Sequence, residues 1–197
     1  MSDPKPISIY SPAGKDGAPG HVSLSKAQFP VEAFAGQWYL VNSTMDMWKT
    51  HKDVTITYTL TTPLPDLVYN DKKEFRASSA ASDKAPTVID GQSTLLPTEG
   101  ASTPEQRHAV NFKWRGIGFL LRMATSTWQI LGYDMEEGWF VTYFDKTLFT
   151  SAGLDIYTRK PGSLSPERIA EIIKAAQALE GEAGKLAQGF FEVKHSE

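Results

Sequence analysis

The chain has 197 residues, a net charge of −3, 41% hydrophobic and 11% aromatic residues, and no cysteine. That length fits one domain with a substantial core. The mild acidity gives no basic footprint for nucleic acid, and no apolar run approaches the ~20 residues of a membrane span. Without cysteine the chain can form no disulfide, thiolate metal site or cysteine nucleophile.

Residues 1–28 are broken repeatedly by Gly and Pro, and from Met1 to Gly20 they contain a single apolar pair, Ile7 and Ile9. They read as an extended tail or wrapping segment, without the apolar stretch of a secretory signal. A soluble cytosolic protein, monomeric or homodimeric, is the plain expectation.

The domain proper is placed at 29–180, and its β part at 36–160. The first strand-like run is Trp38-Tyr39-Leu40-Val41, opened by Gly36-Gln37. Val54-Thr55-Ile56-Thr57-Tyr58-Thr59-Leu60 alternates apolar residues with threonines, the period of a half-buried strand. Weaker strands follow at 67–69, 73–77 and 87–90, and a polar loop is expected over roughly 91–107. Strands are then predicted at 109–115, 128–133, 139–144 and 154–159. The second and third of these are joined by the short connection Asp134-Met135-Glu136-Glu137-Gly138. Short strands in sequence with no helix between them favour an antiparallel up-and-down β-barrel, and about eight strands leave room for side chains or one small ligand.

A helix is predicted over 165–180. Ser165 is a good N-cap, Pro166 suits the first turn, and Ile169, Ile172, Ile173, Ala176 and Leu179 make one apolar stripe for the outer barrel wall. Residues 181–197 form a Gly-broken tail with a short strand candidate at Phe190-Phe191-Glu192-Val193.

Three pieces in order carry a family resemblance: Gly36-Gln37-Trp38 at the first strand, the hairpin from Trp128-Gln129-Ile130-Leu131-Gly132-Tyr133-Asp134 to Trp139-Phe140-Val141-Thr142-Tyr143, and Arg159 before the helix. From about Phe34 to Leu179 the chain resembles a lipocalin of the calycin superfamily. The lack of cysteine and of a signal segment fits the intracellular lipocalin-like proteins of microbes and fungi. The resemblance implies an eight-stranded barrel with a C-terminal helix outside and a cavity for a small hydrophobic molecule. It gives Gly36, Trp38 and Arg159 a structural role: Trp38 closes the floor, and the Arg159 guanidinium lies over its indole, a cation–π contact of ~0.5–2 kcal/mol.

The mouth is then expected at the far end of the first strand, under the segment Thr44-Met45-Asp46-Met47-Trp48-Lys49-Thr50-His51. Two methionines and a tryptophan in a loop suggest a lid against an apolar ligand, although the same side chains could simply plug the barrel. Strand parity adds Asn42, Tyr58, Phe112, Trp114, Trp128, Trp139 and Tyr143 to Met45, Met47 and Trp48 as candidate ligand-binding residues. Each aromatic could equally be ordinary core. The total of 10 Phe, 7 Tyr and 5 Trp is nevertheless more than a floor plug needs.

Signals for catalysis are thinner. Asp46 with His51 could form an acid–base pair at the mouth, and Tyr58 and Tyr143 could steer a substrate. A charged surface turn is the duller account of Asp46 and His51. The histidines at 21, 51, 108 and 195 have no metal-ligand spacing. Haem ligation by one of them stays conceivable, but no metal or cofactor is expected, and no serine-hydrolase elbow or phosphate loop is present. Two classes remain: a binder that carries, stores or sequesters a small hydrophobic molecule, and a lipocalin-like isomerase or cyclase of secondary metabolism that works by confinement.

Overall fold

The computed structural model describes residues 5–15, 18, 20–25, 28–96, 111–118, 123–148 and 150–196. Among them, nine strands form one antiparallel sheet: β1 (Gly36–Ser43), β2 (His51–Thr62), β3 (Val68–Ala77), β4 (Thr87–Leu95), β5 (Asn111–Gly116), β6 (Thr125–Asp134), β7 (Trp139–Phe144), β8 (Gly153–Thr158) and β9 (Phe191–Glu192). Strands β1 to β8 each pair with the next in sequence, and β8 returns to pair with β1. This is the closed eight-stranded up-and-down barrel the sequence predicts, and closure removes the exposed edges an open sheet would present.

Two strand limits differ from expectation. The stretches 67–69 and 73–77 form one strand, β3, because Asp71 does not mark a turn but points into the barrel with Tyr69, Lys73 and Phe75. Similarly, β4 runs through Gly91 to Leu95, where a loop was expected. Gly91 is there for closeness: a Cβ at that position would stand 2.0 Å from Trp114 Nε1 on the neighbouring strand. The rest of the 91–107 loop beyond residue 96, together with His108, Ala109 and Val110, lies outside the described residues.

The lower half of the barrel is filled. Helix α1 (Val31–Phe34) drives Phe34 into the floor, 4.8 Å from Tyr58, 5.5 Å from Tyr69 and 5.0 Å from Phe140 between ring centroids. Trp38 donates its indole N–H to the Phe34 carbonyl at 2.8 Å, and Tyr69 donates to Val31 at 2.8 Å. Arg159 covers this plug from below, its Cζ 3.5 Å from the Trp38 ring centroid. Its guanidinium donates to the carbonyls of Gln37 and Ala35, both at 3.1 Å, and to that of Ala33. Gly36 has φ +102°, a left-handed conformation, and a Cβ there would come 3.2 Å from the same guanidinium.

The segments outside the barrel are packed against it. In the N-terminal segment, Tyr10 N–H donates to the Leu131 carbonyl at 2.9 Å, Ala13 exchanges two hydrogen bonds with the Gln129 side chain, and Leu24 is buried in the main core. Helix α2 (Pro166–Gln177) begins at the Ser165 cap, whose hydroxyl accepts from Arg168 N–H, and buries Ile172 and Ala176 on the wall. A second helix, α3 (Gly181–Ala187), occupies the stretch read as a broken tail.

Beyond α3 the chain fills a seam. β1 and β2 pair only through Gly36–Tyr39 and then part. Into the gap come β9, opposite Asn42 and Ser43, then the Val193 N–H to Val41 at 2.9 Å and the His195 ring to the Leu40 carbonyl at 2.8 Å. On the other side Asp53 N–H donates to Lys194 at 2.9 Å.

Candidate functional site

Above the plugged floor the barrel encloses a cavity of about 160 Å3. Its walls come from inward-facing residues of the strands and from a single-turn helix, Asp46–Thr50, that folds over it. Larger hollows, of about 350, 390 and 620 Å3, lie outside the barrel: at the β1–β2 seam, under the N-terminal segment and beside α2. The interior cavity is the candidate site because aromatic rings and buried charged groups converge on it.

Strand β3 supplies Asp71 and Lys73, two residues apart and therefore on one face. Asp71 is 2% exposed. It accepts from Lys73 Nζ at 2.9 Å, Trp114 Nε1 at 2.7 Å and Ser93 Oγ at 2.6 Å, while Trp128 Nε1 donates to that same serine at 3.1 Å. The Lys73 ammonium also sits 4.6 Å from the Trp114 ring centroid. This carboxylate is buried but fully partnered.

Strand β8 supplies Asp155 and Tyr157 in the same way. Asp155, 1% exposed, accepts from the Ser43 hydroxyl at 2.5 Å and the Tyr157 hydroxyl at 3.0 Å. Burial lifts its carboxyl from the ordinary 3.8 to about 6, against the lowering influence of those hydroxyls and of Lys73. The Tyr58 and Tyr157 phenols are pushed well above 10 by burial and by the nearby aspartates. Trp48, 5% exposed, stands close enough for its indole N–H to help lower the Asp155 carboxyl, yet that N–H makes no hydrogen bond of good geometry.

Of the residues expected to line a ligand site, Met45, Met47, Trp48, Tyr58, Trp114 and Trp128 border the cavity. Phe112 lies in the packed layer, stacked on Trp128 at 4.6 Å between centroids. Three others face outward. Asn42 follows a register shift after Leu40 that inverts the side-chain alternation, so it pairs with the outward Ile156 and Ser43 takes the inward position. Trp139 packs with Val141, Ile156 and Ile172 under α2 and donates to Glu137 at 2.9 Å. Tyr143 packs beneath α3 and donates to Glu182 at 2.6 Å. The cause is register: Phe144 sits directly opposite the inward Trp128, so the even positions of β7 face in, and Phe140 and Phe144 are the interior aromatics.

Asp46 and His51 do not form an acid–base pair. Asp46 is exposed and bound to Lys49 at 2.7 Å, whereas the His51 ring donates to the Met47 carbonyl at 2.7 Å and packs edge-on against Phe75. With Tyr143 also outside, Tyr58 alone of the four catalytic candidates borders the cavity. His21 stacks on Tyr10 at 3.6 Å and His195 lies in the β1–β2 seam, so the described histidines occupy separate places.

Sequence reasoning missed Asp71, Lys73, Asp155 and Tyr157. A signal existed: Asp155 interrupts the apolar run Gly153–Tyr157, and a charge inside a run buried on both faces must point into something polar. Asp71 was harder to see, because Asn70-Asp71-Lys72 has the composition of a turn.

No protein-family model matches the chain, and no curated protein sequence matches it. Solved structures do. The chain is similar to lobster apocrustacyanin A1 at TM-score 0.61 and 13% identity, covering 100% of this chain and 94% of that one. It is similar to insecticyanin from the tobacco hornworm Manduca sexta at 0.59 and 16%, covering 97% and 90%. A third likeness, at 0.54 and 16% with 84% and 96% coverage, is to the siderocalin Ex-FABP, described as functioning through dual ligand specificities. At such identities the likeness lies in the path of the backbone. A barrel closed in this strand order, with its indole–guanidinium floor and outer helix, has the lipocalin fold.

Proposed function

We propose that the protein binds a small, largely apolar molecule inside the barrel and carries, stores or sequesters it. One observation supports this most directly. The cavity of about 160 Å3 is walled by Trp48, Trp114, Trp128, Tyr58, Tyr157 and Phe144, and the Trp48 indole N–H stands near Asp155 without reaching hydrogen-bond geometry. A plugged barrel would bury such a donor against an acceptor, whereas a binding site leaves it for the guest. The size sets the class: an apolar cavity of ~150 Å3 accommodates benzene, so the guest is about one aromatic ring with short substituents. The likeness to siderocalin and the two arthropod proteins supports a barrel used as a container. The cysteine-free composition supports work in a reducing compartment.

Native mass spectrometry of the purified protein, with extraction of whatever it retains, tests the proposal. Titration with a neutral one-ring alcohol, followed by tryptophan fluorescence, supplements it. The reading predicts a retained guest or saturable quenching; an empty protein with no response to the alcohol refutes it.

A second reading, an isomerase or cyclase of an apolar metabolite, has one observation in its favour. Asp155, with its carboxyl near 6 and Tyr157 bonded to it, is placed to exchange a proton with an enclosed substrate. Turnover of an extracted guest, lost in Asp155→Asn without loss of binding, would select it.

A further inference from the structure

Charge pairing inside the cavity leaves one carboxylate over. Asp71 is matched by Lys73 at 2.9 Å, and Asp145 at the rim is matched by Lys15 at 2.5 Å. Asp155 is held by two hydroxyls, and among the described residues no lysine or arginine forms an ion pair with it. Beside it lies the Trp48 indole N–H, 95% buried and without a good acceptor. A carboxylate with no ion-pair partner, beside a donor that stands near it but does not reach hydrogen-bond geometry, matches a guest that carries both a cation and an acceptor.

We propose that the guest is a small aromatic amino alcohol, its protonated amine on Asp155, its hydroxyl oxygen on the Trp48 N–H and its ring among the cavity aromatics. The inference rests on the reading of the cavity as a binding site and specifies the chemistry of that same site. The surrounding rings strengthen it, because a desolvated ammonium is attracted to indole and phenol faces as well as to a carboxylate. The cavity volume agrees, since one ring and a short chain fill it. The Lys73–Asp71 pair is internally neutral and leaves the net charge of the interior at that of Asp155.

The titratable and polar groups facing Asp155 come from five elements. Ser43 (β1), the Trp48 turn, Tyr58 (β2), the Asp71–Lys73 pair (β3) and Tyr157 (β8) surround it. The two phenols stay protonated across the physiological range. Loss of the Asp155 charge is therefore the event expected to weaken an amine as pH falls through about 6.

The test uses the full chain and three probes of similar shape: 2-amino-1-phenylethanol, phenethylamine and the neutral 1-phenyl-1-propanol. Binding is followed by titration calorimetry from about pH 5 to about pH 8 in the wild type and in Asp155→Asn. The amino alcohol should bind the wild type at neutral pH roughly tenfold or more tighter than the neutral alcohol, and a few-fold tighter than phenethylamine. Its affinity should fall as acid neutralises Asp155, while that of the neutral alcohol stays level. Asp155→Asn should erase the preference and keep the neutral alcohol's affinity. Equal binding of amine and neutral alcohol, or a preference that survives in the variant, overturns the inference while leaving the cavity a binding site. Failure of all three probes, with nothing retained by the purified protein, overturns the binding reading itself.

Discussion

Replacing Asp155 by asparagine is expected to stabilise the empty protein at neutral pH and to leave it nearly unchanged in acid. The amide keeps the size of the carboxyl, but its single oxygen replaces only one of the two that accept from Ser43 and Tyr157, and the other hydroxyl must turn to accept from the amide N–H. In the folded protein burial holds the carboxyl near 6, against 3.8 in the open chain. Between those values the folded state retains a proton that the unfolded state has released, so stability falls as pH rises through that window, and the whole penalty is present above it. The gap is about two pH units at about 1.4 kcal/mol each, or ~3 kcal/mol, a large share of the 5–15 kcal/mol that holds an ordinary domain together. Urea unfolding of both proteins at intervals from about pH 4 to about pH 8 measures it. The variant's advantage should grow from near zero at about pH 4 to ~3 kcal/mol at about pH 7, shifted only by a constant for the amide N–H groups. A difference between the two proteins that stays flat across that range would refute the assignment of Asp155 as a buried, cation-free carboxyl.

Three further outcomes follow from the same geometry. Trp48→Phe keeps the ring but removes a buried donor without an acceptor, so the melting temperature should hold or rise while retention of an oxygen-bearing guest weakens; unchanged retention on native mass spectrometry counts against the lid. Arg159→Lys cannot span the carbonyls of Ala33, Ala35 and Gln37 or lie flat on Trp38, and should cost about 1–3 kcal/mol by urea unfolding with probe affinity intact. Gly91→Ala places a methyl where the Trp114 ring passes, so the indole must leave Asp71. Loss of affinity for any cavity probe, together with a lower melting temperature, is the expected result.

Legibility in the sequence followed the strength of local pattern. The threonine-alternating run of β2 and the capped, striped helix α2 were readable because each obeys one period on one surface. The floor was readable through Gly36, Trp38 and Arg159, which meet in space in the arrangement their order implied. Phe34, the residue that fills that floor, stands ahead of the first strand and outside any periodic run. Helix α3 was obscured by glycines at both its first and fourth positions.

What the sequence by itself determined was the periodicity: which segments extend, which segment coils, and that enough strands follow one another to close a barrel. Only the tertiary structure decided the contents of the cup. Inward and outward faces exchange wherever a bulge inserts one residue, as after Leu40 and after Ile130, and local composition does not record where that happens. The slip after Leu40 sent Asn42 outside and brought Ser43 to Asp155, while the pairing of Phe144 with Trp128 turned Trp139 and Tyr143 away. A buried aspartate also reads as a turn or a surface residue until its partners, distant in the chain, are folded around it.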